Sequence, residues 1–140
     1  MVPFCDEQFS DDGGDGYESA LVTVGFKEPS LELIEAGVKT FEARLASDPV
    51  TMNLRVGDRF TGHSGQRDVV GIEIVSVDVL PSFGAAWQRF GASLVPAKWG
   101  TPASATEAQA MYQKFYRRPL THADRVRIFG VRVRRGVGDE

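Results

Sequence analysis

"LELIEAGVKTFEARL" (Leu31–Leu45) changes character in the middle. Up to Ala36 it reads as the end of a short helix, because Pro29 suits a first helical turn and Gly37 suits the left-handed cap that ends one. From Lys39 the period drops to two, with Phe41, Ala43 and Leu45 on one face and Thr40, Glu42 and Arg44 on the other. Lys39, Glu42 and Arg44 therefore bring three charges into the six residues where a helix hands over to a strand. Taken alone, Glu42 and Arg44 read as a surface ion pair worth about 0–1 kcal/mol. The join suggests more. A strand starting just after Gly37 puts Lys39 at the mouth of a barrel and lines an adjoining groove with Glu42 and Arg44. A lysine point charge and an arginine fork suit phosphate, and a carboxylate can accept from a base amino group or hold Arg44 in position.

Working outward, "ALVTVGF" (Ala20–Phe26) alternates as a first strand. Gly57 and Asp58 mark a turn into a second run, "RFTGHSGQRD", read as a strand. "VVGIEIVSVDVL" is the strongest strand signal, and its apolar phase slips between Ile74 and Val75, as a bulge in a bent sheet requires. Phe83, Trp87 and Phe90 recur at helical spacing and stop at Gly91, which marks them as core rather than a base-stacking platform. "SLVPAKWGTPA" reads as a connecting loop. Ser104 and Glu107 form a capping-box pattern that opens a third helix. Ala108, Met111, Tyr112 and Phe115 give that helix an apolar face, and Pro119 stops its continuation. In the last strand, "RVRIFGVRVRR", Phe129, Val131 and Val133 share one face and Arg132 and Arg134 the other. The expected fold class is α+β: a small bent β-barrel of five or six strands with three short helices packed around it.

Charge is unevenly spread along the 140 residues. Residues 1–19 hold six acids and no base, a tail composition too polar and glycine-rich to bury a core. A second tail, 136–140, ends in Asp139 and Glu140. Setting both tails aside leaves eleven acids against all sixteen bases, a surplus of about five on a domain expected over 20–135. Seven arginines fall between Arg117 and Arg135, a local excess able to attract polyanions. Cys5 is the single cysteine, and His63 and His122 have no metal-ligand spacing, so no metal and no cofactor is expected. No apolar run reaches the length needed to span a bilayer, and "MVPFC" lacks the basic flank and apolar core of a signal peptide. The expected setting is cytoplasmic, without a membrane partner.

The element Gly37-x-Lys39-x-x-Glu42-x-Arg44 resembles the GxKxxExR signature of ASCH domains, a PUA-like family. The preceding "FKEPSLELIEAG" resembles that family's first strand and helix, and Arg55-Val56-Gly57-Asp58 its turn before the next strand. Tyr112–Tyr116 is similar to the YxxxY stretch of its late helix, and Gly130–Val133 to its closing strand. Together these span about Leu21 to Val133. The resemblance implies a PUA-like barrel binding RNA, single-stranded or structured, or a nucleotide, in a cleft beside the first helix. Lys27, Lys39, Glu42, Arg44, Arg55, Tyr112 and Tyr116 would line it.

Some relatives in that family are hydrolases acting on RNA or on N4-acetylcytidine, which makes Lys39, Thr40 and Glu42 the candidate catalytic residues if this chain is an enzyme. The residues depart from both catalytic patterns. Three residues after the lysine, where the amidohydrolases carry threonine, stands Glu42; six before it, where the ribonucleases carry tyrosine, stands Leu33. Lys39 beside Glu42 is expected to stay protonated, which suits anion binding rather than general-base work.

Overall fold

The computed structural model describes residues 22–65 and 67–133. The acidic segment 1–19, the start of the expected first strand and the tail 136–140 lie outside the described residues. The elements, in order, are β1 (Thr23–Gly25), α1 (Ser30–Glu35), β2 (Phe41–Leu45), β3 (Arg59–Ser64), β4 (Arg67–Leu80), α2 (Phe83–Phe90), α3 (Ala105–Gln113) and β5 (Val126–Val133). A 3-10 turn, Gly91–Ser93, follows α2. The strands form one mixed sheet of order β1-β3-β4-β5-β2, so the fold is α+β, a half-barrel with three helices. β1 runs parallel to β3, and every other pairing is antiparallel. β1 and β2 are therefore the two free edges of the curved sheet.

The helix-to-strand join closes as its sequence requires. Gly37 adopts φ +79°, which an L side chain resists. Its N–H bonds the Ile34 carbonyl at 3.0 Å, and the Val38 N–H bonds Leu33 at 2.9 Å, the paired bonds of a Schellman cap. Lys39 N–H also reaches the Leu33 carbonyl, and the chain then enters β2. Bending of the sheet rests on β4, whose pairing with β5 shifts register between Ile74 and Ser76, at the predicted phase slip.

Three details differ from the sequence reading. The run from Arg59 to Asp68 is a hairpin rather than one strand: β3 ends at Ser64, Gly65 turns with φ +58°, and His63 pairs back onto Asp68. Helix α3 ends at Gln113, well short of Pro119. The Gln113 side chain explains this, since its amide donates to the Arg118 carbonyl (2.8 Å) and accepts from Leu120 N–H (2.8 Å), holding the chain in a compact non-helical turn. Strand β5 is not one-sided, because it is buried on both faces from Val126 to Val131 except at Arg127.

That double burial reflects two cores. Phe129 and Val131 join Val24, Leu31, Ile34, Phe60, Ile72 and Ile74 beneath α1. Val126 and Ile128 join Ala43, Leu45, Phe83, Ala86, Leu94 and Tyr112 beneath α2 and α3. Helices α2 and α3 meet closely at Gly84, whose N–H donates to the Gln109 side chain at 2.9 Å. A Cβ there would lie 2.5 Å from the Ala105 carbonyl oxygen, a backbone atom that cannot swing aside. Gly84→Ala is therefore expected to destabilise the fold by about 1–3 kcal/mol through overpacking. A urea titration showing a lower midpoint with unchanged slope would check this.

Candidate functional site

A cleft of about 400 Å³ opens at the seam between the two sheet edges, within the size range of small-ligand pockets. Gly25, Phe26 and Lys27 line it from the end of β1, and Ser30 from the start of α1. Glu42 and Arg44 come from β2, His63 and Gly65 from the β3–β4 hairpin, and Trp99, Tyr112, Phe115 and Tyr116 from the segments around α3. Alternation along β2 explains the floor: Ala43 and Leu45 face the second core, so Glu42 and Arg44 face the other way.

Glu42 and Arg44 are tightly engaged. Arg44 Nε donates to Glu42 Oε2 at 2.6 Å, and Arg44 Nη2 donates to the Gly25 carbonyl at 2.6 Å. The guanidinium also lies over the Phe26 ring, 4.9 Å from its centroid, with Asp48 at 4.0 Å from Nη1. A β2 side chain thus ties the β2 edge to the backbone of β1. Burial works against the Arg44 charge, but the Glu42 carboxylate outweighs it and keeps the guanidinium firmly cationic.

Lys39 does not stand at the mouth. It is 1% exposed and sits behind the floor. Its ammonium donates to the carbonyls of Phe41 (2.7 Å) and Leu94 (2.6 Å) and lies 3.5 Å from Glu42 Oε1. The Trp99 ring packs over it at 5.3 Å. Desolvation pulls the Lys39 pKa below the ordinary lysine value, and this outweighs the upward pull of Glu42, contrary to the expectation that Glu42 would dominate. Lys39 is consequently a structural cation that fixes Glu42 from below, and no ligand phosphate reaches it in this arrangement.

Of the other sequence candidates, Lys27, Tyr112 and Tyr116 line the cleft and Arg55 does not. The backbone N–H of Arg55 bonds the Asp58 carboxylate in the turn before β3, and the residue is exposed. Thr40 is also outside the lining, its N–H spent on the Ser93 carbonyl at 2.9 Å. Among the described residues, two of the carboxyl-terminal arginines are engaged by acids: Arg118 forks onto Asp124 at 2.8 and 2.9 Å, and Arg132 pairs with Glu73 at 3.1 Å.

Tyr112 is a buried member of the second core rather than a stacking platform. Its ring stacks on Phe83 at 4.2 Å and meets Trp99 edge-on. Its hydroxyl, however, has no hydrogen-bond partner among the described residues, a standing cost of roughly 1–3 kcal/mol. Burial, with Glu42 and Tyr116 adding to it, pushes the Tyr112 pKa well above the usual phenol value, so the group remains a donor.

The aromatic surface the sequence reading did not assign is Trp99 stacked on Phe115 at 5.7 Å, with Phe115 40% exposed. Trp99 has only a loop position to mark it, and the spacing of Phe115 puts it on the apolar face of the third helix. His63 was missed for a different reason. Only the hairpin brings its ring, with Nδ1 2.6 Å from Asp68, to the cleft. Among the described residues, no group of three or more His, Cys, Asp or Glu is placed to hold a metal ion, and no helix is long and apolar enough to cross a membrane.

No family model matches the chain, and no curated protein matches it. Two solved structures share its fold. The crystal structure of the hypothetical protein PH0355 superposes with a TM-score of 0.64 at 23% identity, covering 79% of this chain and 95% of that one. The solution structure of protein PF0455 from Pyrococcus furiosus gives 0.58 at 22% identity, covering 79% and 94%. At these identities the likeness establishes the fold.

The buried lysine makes a pH prediction. A folded-state pKa below 10.5 means the folded chain sheds this proton before the unfolded chain does. In that window the unfolded state binds more protons, so Lys39 adds stability as pH rises. Relative to Lys39→Met, the native protein should gain stability in denaturant titrations as pH rises towards 10.5. A difference that stays flat or falls would contradict the burial argument.

Proposed function

We propose that this chain is a binding domain for RNA or a nucleotide, similar to the ASCH domains, and that it works in a cytoplasmic setting. The observation that carries the reading is the cleft itself: a fixed carboxylate and guanidinium on the floor, an exposed aromatic on the wall and a free-standing lysine at the rim. Planar heterocycles with hydrogen-bonding edges and a phosphate tail match that set of groups. The roles differ from those the signature residues suggest by charge alone. Arg44 spends Nε and Nη2 inside the protein, and Lys39 is sealed off, so phosphate falls to the exposed Lys27. Stacking falls to Phe115 rather than to Tyr112, whose ring is already stacked on Phe83.

Hydrolysis is the weaker reading. Of Lys39, Thr40 and Glu42, only Glu42 lines the cleft. A carboxylate held there would repel a developing oxyanion.

Fluorescence titration with single-stranded RNA over a range of salt tests the binding reading. Phe115→Ala should cost about 1–3 kcal/mol by removing a stacked base. Lys27→Ala should reduce the log–log salt slope by about 0.7, the loss of one phosphate contact. Unchanged affinity in Phe115→Ala together with an unchanged slope in Lys27→Ala would remove the cleft as the binding site.

A further inference from the structure

The β3–β4 hairpin fixes how the His63 ring can hydrogen-bond. His63 and Asp68 stand directly opposite across it, with Nδ1 2.6 Å from Asp68 Oδ1. A carboxylate only accepts, so the proton of the neutral ring sits on Nδ1 and a lone pair is left on Nε2. Nε2 has no partner among the described residues, and the side chain is 48% exposed on the cleft lining, so a ligand can reach it. Space beside the ring is open. Its partner on β1 is Gly25, which has no side chain, and a Cβ there would meet nothing within 4 Å. The Phe26 N–H donates to the His63 carbonyl at 2.7 Å, carrying the ladder one residue past β1, and the exposed Lys27 follows directly into the lining. One end of the cleft therefore pairs an accessible acceptor with a cation. A ribonucleotide strand carries the complementary pair, a hydroxyl donor on the sugar carbon next to the one that bears the 3′-phosphate.

We infer that His63 Nε2 accepts a hydrogen bond from a ribose 2′-hydroxyl while Lys27 holds the neighbouring phosphate, so that the cleft tells RNA from DNA at the sugar. The 2′-hydroxyl is the group by which a protein makes that distinction, and a polar atom placed to receive it is left unpaired when it is missing. Asp68 is a positioning residue: it holds the ring in the tautomer that accepts and touches no ligand itself. A phosphate at Nε2 would meet a lone pair instead of a donor, which is why the anion falls to Lys27. The inference rests on the proposed nucleotide-binding reading and adds the sugar to the parts of the ligand that are recognised.

The test uses single-stranded oligouridines of equal length that carry ribose, 2′-deoxyribose or 2′-fluoro-2′-deoxyribose. Base and charge are the same in all of them, and the fluoro sugar keeps the ribose pucker without a hydroxyl donor. Native protein should bind the ribose strand about 3- to 10-fold more tightly than either of the others, the size of one neutral hydrogen bond. The salt slope should be the same for every strand, because the phosphate contacts do not change. His63→Phe keeps a ring at an exposed position and removes both nitrogens, so it should hold the deoxyribose affinity and lose the preference. Asp68→Ala frees the ring to carry its proton on Nε2 and should shrink the preference with His63 still in place. Equal affinity of native protein for the ribose and deoxyribose strands, a fluoro strand bound as tightly as ribose, or a preference that survives in His63→Phe overturns the inference while leaving nucleotide binding in place. Should His63→Phe fail to fold, an unchanged preference in Asp68→Ala overturns it equally. Failure of native protein to bind any of the strands overturns the binding reading, and the inference with it.

Discussion

Arg44 reaches from the last strand of the sheet to the carbonyl of Gly25 on the first. The half-barrel has no backbone ladder across this seam among the described residues, so a side chain does the closing. An open edge normally invites pairing with another chain. Here the β1 edge is short and receives a charge-assisted bond, and its Phe26 ring is covered by the guanidinium. The placement of the cleft follows. A barrel closed by backbone pairing would have no gap there, and one left unbridged would have no fixed floor.

Fixing that floor means burying charge. Glu42 sits between two cations, one below it in the core and one beside it on the strand. Each cation is further satisfied by backbone carbonyls: Phe41 and Leu94 for Lys39, Gly25 for Arg44. Networks of this kind seldom add much net stability, because desolvation offsets the attraction. Their value lies in geometry, since any displacement leaves a buried charge unpaired. The seam, the helix-to-strand join and the 3-10 turn after α2 are consequently locked to one another through three side chains.

Local signals in the sequence were enough for most of the fold. The Gly37 cap, the β4 phase slip and the Ser104 cap each depend on neighbours within a few residues, and each appears where the pattern put it. The α+β half-barrel and its three helices follow from those pieces. The hairpin at Gly65 is not legible because Arg59–Asp68 holds a single large apolar residue, Phe60, and so no alternation marks where one strand ends and the next begins. The early end of α3 is not legible because a glutamine side chain, not the backbone pattern, stops it. The site was legible as a set of residues but not as a set of roles. Nothing near Lys39 announces that Leu94, 55 residues on, will accept its hydrogen bond and seal it inside. Trp99, Phe115 and His63 reach the cleft only through tertiary packing.

Hydrogen exchange in native protein and Arg44→Met tests the closing role of the seam most directly. Methionine keeps an unbranched apolar stem against Phe26 and removes the bonds to Gly25 and Glu42. If the side chain closes the half-barrel, amides of β1 and the following Phe26 should exchange faster in the variant, while the central β4–β5 ladder keeps its protection. Equal protection of β1 in the two proteins, with β4–β5 intact, would mean that the seam is held by something other than Arg44.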